Sequence, residues 1–172
     1  MIPDTPRYVD GLEDGKGLYF HFIKAESRTP GGLMARPTLT SFFKSEWFRA
    51  ASSKPRVTSP METTLCPDSE QSMYCQLLCG LLQRHHVVRI GAVFASTFLR
   101  AISFLQQHWP KLVHDMASGT LSASMVTNAA ARRAVEDVMS RTGDAGAAAE
   151  EVGAECRKPS WQGIIRRLWP RA

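Results

Sequence analysis

Asp68-Ser69-Glu70-Gln71-Ser72-Met73-Tyr74-Cys75-Gln76-Leu77-Leu78-Cys79-Gly80-Leu81 is the stretch on which the fold turns. Asp68 followed three residues later by Gln71 has the form of a capping box, which takes up free backbone N–H groups of a first helical turn. Met73, Leu77, Leu78 and Leu81 then recur at three- and four-residue spacings, the repeat of one helix side. The pattern predicts a helix from Asp68 to about Arg84. From here onward the chain reads as mainly helical, and before it as strands, turns and loops.

Downstream, Phe94, Phe98, Ile102, Leu105 and Trp109 predict a helix over Val93 to Trp109. Pro110 is expected to interrupt it, because proline lacks the N–H that a helix interior needs. A short helix from Lys111 to Met116 is expected to end at Gly119, and two more to cover Ala129–Ser140 and Ala145–Glu155. A basic helix closes the chain, with Trp161, Ile164, Ile165 and Leu168 on one face and Arg166 and Arg167 turned to water.

Upstream, Leu18-Tyr19-Phe20-His21-Phe22-Ile23 is aromatic and apolar and follows the turn-prone Asp14-Gly15-Lys16-Gly17, as a strand would. Thr29-Pro30-Gly31-Gly32 is a turn signal, and Pro37 to Phe43 is expected to form a second strand of a wide-looped hairpin. Ser52 to Pro60 loses apolar periodicity and reads as a loop, followed by another up to Pro67. The fold class expected is α/β, more narrowly an α+β arrangement with a strand- and turn-rich first third. No linker divides residues 1–172, which read as a single domain.

The 172 residues are 44% hydrophobic and 22% charged, a globular balance. Lys and Arg number 21 against 16 acids, for a net charge of +5. Arg157, Lys158, Arg166, Arg167 and Arg171 account for this excess, so the rest of the chain is balanced. A nucleic-acid surface tracks phosphates with clustered cations; here the excess sits on a short amphipathic tail, and no nucleic-acid partner is expected. Cys66, Cys75, Cys79 and Cys156 lack paired metal-ligand or secreted-scaffold spacing and read as reduced core thiols. There is no secretory leader pattern and no run of eighteen apolar residues, so no membrane partner is expected and the localisation read is cytoplasmic.

The residues themselves nominate no self-sufficient active site. His85 and His86 are adjacent, so on a helix they point about 100° apart and do not chelate one ion together. His21, His108 and His114 have no ligand at a chelating spacing, and no metal site is expected. Ser118-Gly119-Thr120-Leu121-Ser122 has the hydroxyls of a phosphate loop but follows a helix and lacks a nearby lysine; the favoured reading is a helix end stopped by Gly119. Ser59, Ser69 and Ser72 occur without a nucleophile elbow, and no catalytic residue is assigned.

Several segments in succession carry a family resemblance. They are Tyr8-Val9-Asp10-Gly11-Leu12, Gly15-Lys16-Gly17-Leu18-Tyr19-Phe20, Thr29-Pro30-Gly31-Gly32-Leu33-Met34-Ala35-Arg36-Pro37 and Thr58-Ser59-Pro60-Met61-Glu62. There follow Leu65-Cys66-Pro67-Asp68, Gln71 to Leu81, Arg89-Ile90-Gly91-Ala92-Val93-Phe94-Ala95-Ser96, Trp161-Gln162-Gly163-Ile164-Ile165 and Leu168-Trp169-Pro170. In this order they resemble the auxin-responsive acyl-acid amido synthetases of plants, over nearly the whole chain.

The resemblance implies part of the large N-terminal domain of an adenylate-forming ligase that joins indole-3-acetic acid, or a related plant hormone acid, to amino acids. In that family ATP and magnesium serve an acyl-adenylate step, and the amine then displaces AMP. The family's phosphate loop lies before the first matched segment, and its adenine and ribose motifs lie after the last. These residues are therefore expected to be an internal piece, without the smaller C-terminal domain, that does not bind ATP and magnesium by itself. By the same resemblance Thr58, Ser59, Pro60, Met61, Glu62, Thr64 and Leu65 line the substrate side of the pocket. The polar groups are expected to orient the amino acid, and Thr64 and Leu65 to face the acyl group. Thr63-Thr64 stands where the family more often has an apolar pair. The alternative is a non-catalytic fragment that associates with a full-length relative.

Overall fold

The structure, a computed structural model, describes residues 14–52 and 56–172, the side chains of 51 and 52 excepted. The matched segment Tyr8 to Leu12 and the middle of the loop after Ser52 lie outside the described residues. The elements run β1 (Lys16–Phe20), β2 (Ser27–Arg28), β3 (Met34–Ala35), α1 (Thr38–Phe43), α2 (Glu46–Ser52), α3 (Met61–Thr64), α4 (Ser69–Leu82), β4 (Val87–Ala92), α5 (Ala95–Ser118), α6 (Ala129–Arg141), α7 (Ala145–Cys156) and α8 (Ile164–Leu168).

α4 is the hub. Asp68 caps it as its sequence foretells, its carboxylate accepting from the N–H groups of Glu70 and Gln71 at 2.8 and 3.1 Å. Those bonds hold the Asp68 carboxyl below its ordinary range. The reciprocal half of the box differs: the Gln71 side chain reaches Asp68 Oδ2 and also ties down Thr127 and Asn128 before α6. From Ser72 to Leu82 every residue of α4 is buried. A helix buried on all sides belongs to a core, and β1, α3, α5, α6 and α7 all pack on it. Gly80 permits the close approach of β1, since a Cβ there would lie 2.6 Å from Leu18 Cδ2.

β1 does not join a hairpin. It pairs in parallel with β4, Leu18 opposite Ile90 and Phe20 opposite Ala92, and α4 forms part of the crossover that parallel strands require. The hairpin is smaller than expected: β2 and β3 pair antiparallel around the Thr29–Gly32 turn. Residues 38–43, expected as a strand, form α1 instead. Pro37 supplies the preceding cap position, and helical spacing turns Thr40 and Phe43 inward together.

The helix expected to break at Pro110 does not, for α5 is continuous from Ala95 to Ser118. Pro110 and Gln106 are both exposed, so the helix loses its one hydrogen bond on the side open to solvent, where the loss costs least. Gly119 ends this helix in the left-handed region at φ +66°, as its position suggests. Both later helices form within a residue of the expected bounds, while the last is short, with Trp161 half-buried just outside it.

The four cysteines are free and buried. Burial pushes their thiols up, to about 12 for Cys75 and about 11 for Cys156, so they behave as small core groups. Arg84 closes the far end of the core. Its guanidinium donates to the Leu168 and Arg167 carbonyls at 2.7 and 2.8 Å and pairs with Glu151, capping α8 from another part of the chain. The Trp169 indole N–H donates to the Gly80 carbonyl at 2.9 Å.

Candidate functional site

The segment 56–65 is laid against β1 on the edge away from β4. Gly17 donates to the Arg56 carbonyl at 2.7 Å and accepts from the Thr58 N–H at 3.1 Å, a parallel bridge to Val57. Beyond it Pro60 opens α3, one turn long. The Pro60 carbonyl accepts both the N–H and the hydroxyl of Thr63, at 3.1 and 2.7 Å. That bond lets a threonine occupy a fully buried place.

Packing divides the seven sequence-nominated residues into two sets. Thr58 and Thr64 are buried, at 3% and 5% exposure, Thr64 within the contact that α3 makes with α4 and α6. Ser59, Pro60, Met61 and Leu65 are half-buried, and Glu62 is exposed in the first turn of α3. The segment thus has an anchoring side of threonines and an open side carrying one hydroxyl, one carboxylate and apolar surface. The open side offers a hydrogen-bonding partner and a negative charge to an amine, and a thioether and a leucine to an apolar group.

Three residues of α4 or its C-terminal end, not nominated from sequence, touch this segment or its neighbour. Gln83 Nε2 donates to the Thr58 carbonyl at 2.8 Å. Ser72 donates its hydroxyl to the Thr63 carbonyl at 2.7 Å and accepts from Gln76 at 2.8 Å. Gln76 also exchanges two hydrogen bonds with the backbone of His21, 3.0 Å to the N–H and 2.8 Å to the carbonyl. The signal for them was polar side chains on a helix otherwise rich in buried apolar residues, since such groups are buried only with partners.

His21 sits in an aromatic stack. Its ring lies 4.8 Å from Phe43 and 5.7 Å from Tyr19, with Phe48 meeting it edge-on at 5.7 Å. Burial drives its pKa down to about 4, so the ring is neutral at pH 7.

The segment Ser118–Ser122 does not fit the phosphates of ATP. The hydroxyls of Ser118 and Thr120 bond to one another and to nearby backbone, and the Ser122 N–H donates to the buried Asp115 carboxylate at 2.8 Å. The same carboxylate accepts the Tyr74 hydroxyl at 2.8 Å, so the hydroxyls and the Ser122 N–H that a phosphate would need are already taken. Among the described residues, no group of three or more His, Cys, Asp or Glu side chains is placed to hold a metal ion. Among them, too, no helix is long and apolar enough to cross a membrane.

Comparison with known proteins gives the chain its setting. The family model described as GH3 family N-terminal domain matches residues 3–172. The indole-3-acetic acid-amido synthetase GH3.17 of Arabidopsis thaliana is 52% identical over 174 residues, covering 100% of this chain and 28% of the relative. A probable indole-3-acetic acid-amido synthetase of Oryza sativa subsp. japonica, GH3.13, is 50% identical over 99% of this chain and 37% of its own length. Among solved structures, the GH3.15 acyl acid amido synthetase superposes with a TM-score of 0.84 at 42% identity, over 97% of this chain and 28% of that one. The same enzyme in complex with 2,4-DB superposes at 0.77, over 95% and 28%. The chain thus spans between about a quarter and two fifths of the length of these relatives.

Proposed function

The chain belongs to the GH3 family, and on that footing we propose that it forms part of the large domain of an acyl acid amido synthetase. Its contribution is a wall on the side of the two organic substrates. The observation that carries this reading is the open side of the segment from Ser59 to Leu65, clear of the threonines that anchor it. On this reading the Glu62 carboxylate receives the ammonium or amine of the amino acid, and Ser59 supplies a hydrogen bond beside it. Met61 and Leu65 present apolar surface to the acyl group; Thr64, 5% exposed, lies behind that surface. Holding both substrates in one orientation is what such a wall adds to amide formation. Indole-3-acetic acid is the acid proposed, because the relatives named for it match the whole chain.

ATP and magnesium are proposed to be handled by other residues of the full-length enzyme. In support, three of the chain's most deeply set arginines are already committed to backbone carbonyls or acids: Arg84 to the end of α8, Arg132 to the 121–126 loop and Arg167 to Glu155. The test is a chimaera in which residues 1–172 replace the matching segment of the Arabidopsis relative. Glu62→Gln is expected to raise KM for the amino acid about tenfold, and Leu65→Ala to raise KM for the acid several-fold, as expected for lost ground-state contacts. Unchanged values for both would remove the wall from the reaction.

A further inference from the structure

We infer that Gln83 and Ser72 are positioning residues that fix the two ends of the substrate-wall segment from behind; this rests on the reading of that segment given above. Gln83 follows the last turn of α4, yet its amide reaches 25 residues back to the Thr58 carbonyl. Its orientation is settled by its partners. Lys16 Nζ, which only donates, lies 2.6 Å from Oε1, so Nε2 is left facing the Thr58 and Cys79 carbonyls at 2.8 and 3.1 Å.

Ser72 does the same at the other end. Its hydroxyl is fully buried and donates to Thr63, while Gln76 donates to it and so directs its one proton. Gln76 is itself held by both backbone groups of His21. The two anchors sit on one rigid, buried helix, and the open residues Ser59 to Glu62 are suspended between them. Side chains that must meet a substrate in one geometry need such support from packed elements behind them. Capping α4 accounts for the bond from Gln83 to Cys79, but not for the one to Thr58.

Two substitutions in the chimaera separate positioning from stability. Gln83→Glu keeps an acceptor for Lys16 but replaces the donor to Thr58 with a repelling oxygen, and Ser72→Ala deletes the bond to Thr63. Each is expected to raise KM for both acid and amino acid about five- to tenfold while leaving KM for ATP unmoved. The melting temperature of the Gln83→Glu protein should stay near that of the parent. Unchanged KM for the organic substrates in both variants, or an equal rise for ATP, overturns the positioning role. A parent chimaera without turnover speaks instead against the substrate-wall reading. The clamp is then decided by amide hydrogen exchange of the 172-residue chain: it stands if Thr58 and Leu65 exchange faster in the variants, and falls if they do not.

Discussion

α4 and α5 carry the same kind of apolar repeat and meet opposite fates. α4 is buried on every side from Ser72 onward. α5 buries Ala101, Phe104, Leu105, Leu112 and Met116 but leaves its entry open, with Phe94 57% and Leu99 64% exposed. The difference shows what each helix is able to do for a site. A polar group on the buried part of α4 has no water to turn to, so each one must point at a fixed partner: Ser72 at the 58–65 segment, Gln76 at the extension of β1 and Tyr74 at Asp115 of α5. A residue at the entry of α5 is free of such demands and specifies little around it.

The contrast breaks most readily at Trp169, which seals α4 from below with both its ring and its hydrogen bond. Trp169→Ala should cost about 3–5 kcal/mol in urea unfolding. A loss below about 1 kcal/mol would mean that the α4 core is far looser than its burial implies. Next comes Arg84→Met, expected to cost about 2 kcal/mol because two carbonyls at the end of α8 lose their donor while Glu151, half-exposed, returns to water.

His21 tests the polar side of the same core by pH. Unfolded, it titrates near 6.5; folded, near 4. Between these values the unfolded chain binds the extra proton, so stability falls as pH is lowered from about 6.5 to about 4, by roughly 1–2 kcal/mol for a half-buried ring. His21→Phe keeps the stack with Phe43 and should flatten that slope; a slope that survives would assign the acid sensitivity to other groups. The smallest effect belongs to the open helix. Leu99→Ser should change stability by no more than about 0.5 kcal/mol, and a larger loss would show that the entry of α5 is covered in solution.

What could be read from sequence follows this same division between local and distant causes. The Asp68 cap and the Gly119 stop were legible because each lies within a few residues of the backbone groups it satisfies. β4 was not: Val87 to Ala92 is a short apolar run interrupted by Arg89, and only pairing with β1, some seventy residues earlier, makes it a strand. Thr38 to Phe43 looked like a strand by composition, but burying Thr40 and Phe43 together requires a helix. The segment from Thr58 to Leu65 was singled out only through its family likeness. Its placement involves Gln83, Ser72 and the packing of α3 on α4 and α6, none of which has a local signature.

ATP–pyrophosphate exchange with indole-3-acetate, run side by side on the 172-residue chain and on its chimaera with the Arabidopsis relative, tests most directly whether this region supplies the organic-substrate wall and not the nucleotide chemistry. The chimaera is expected to exchange in an acid-dependent way. The chain alone is expected to stay at background, since losing even one preorganised donor to developing charge costs about 3–4 kcal/mol. Acid-dependent exchange by the purified chain alone, or none by the chimaera, would contradict it.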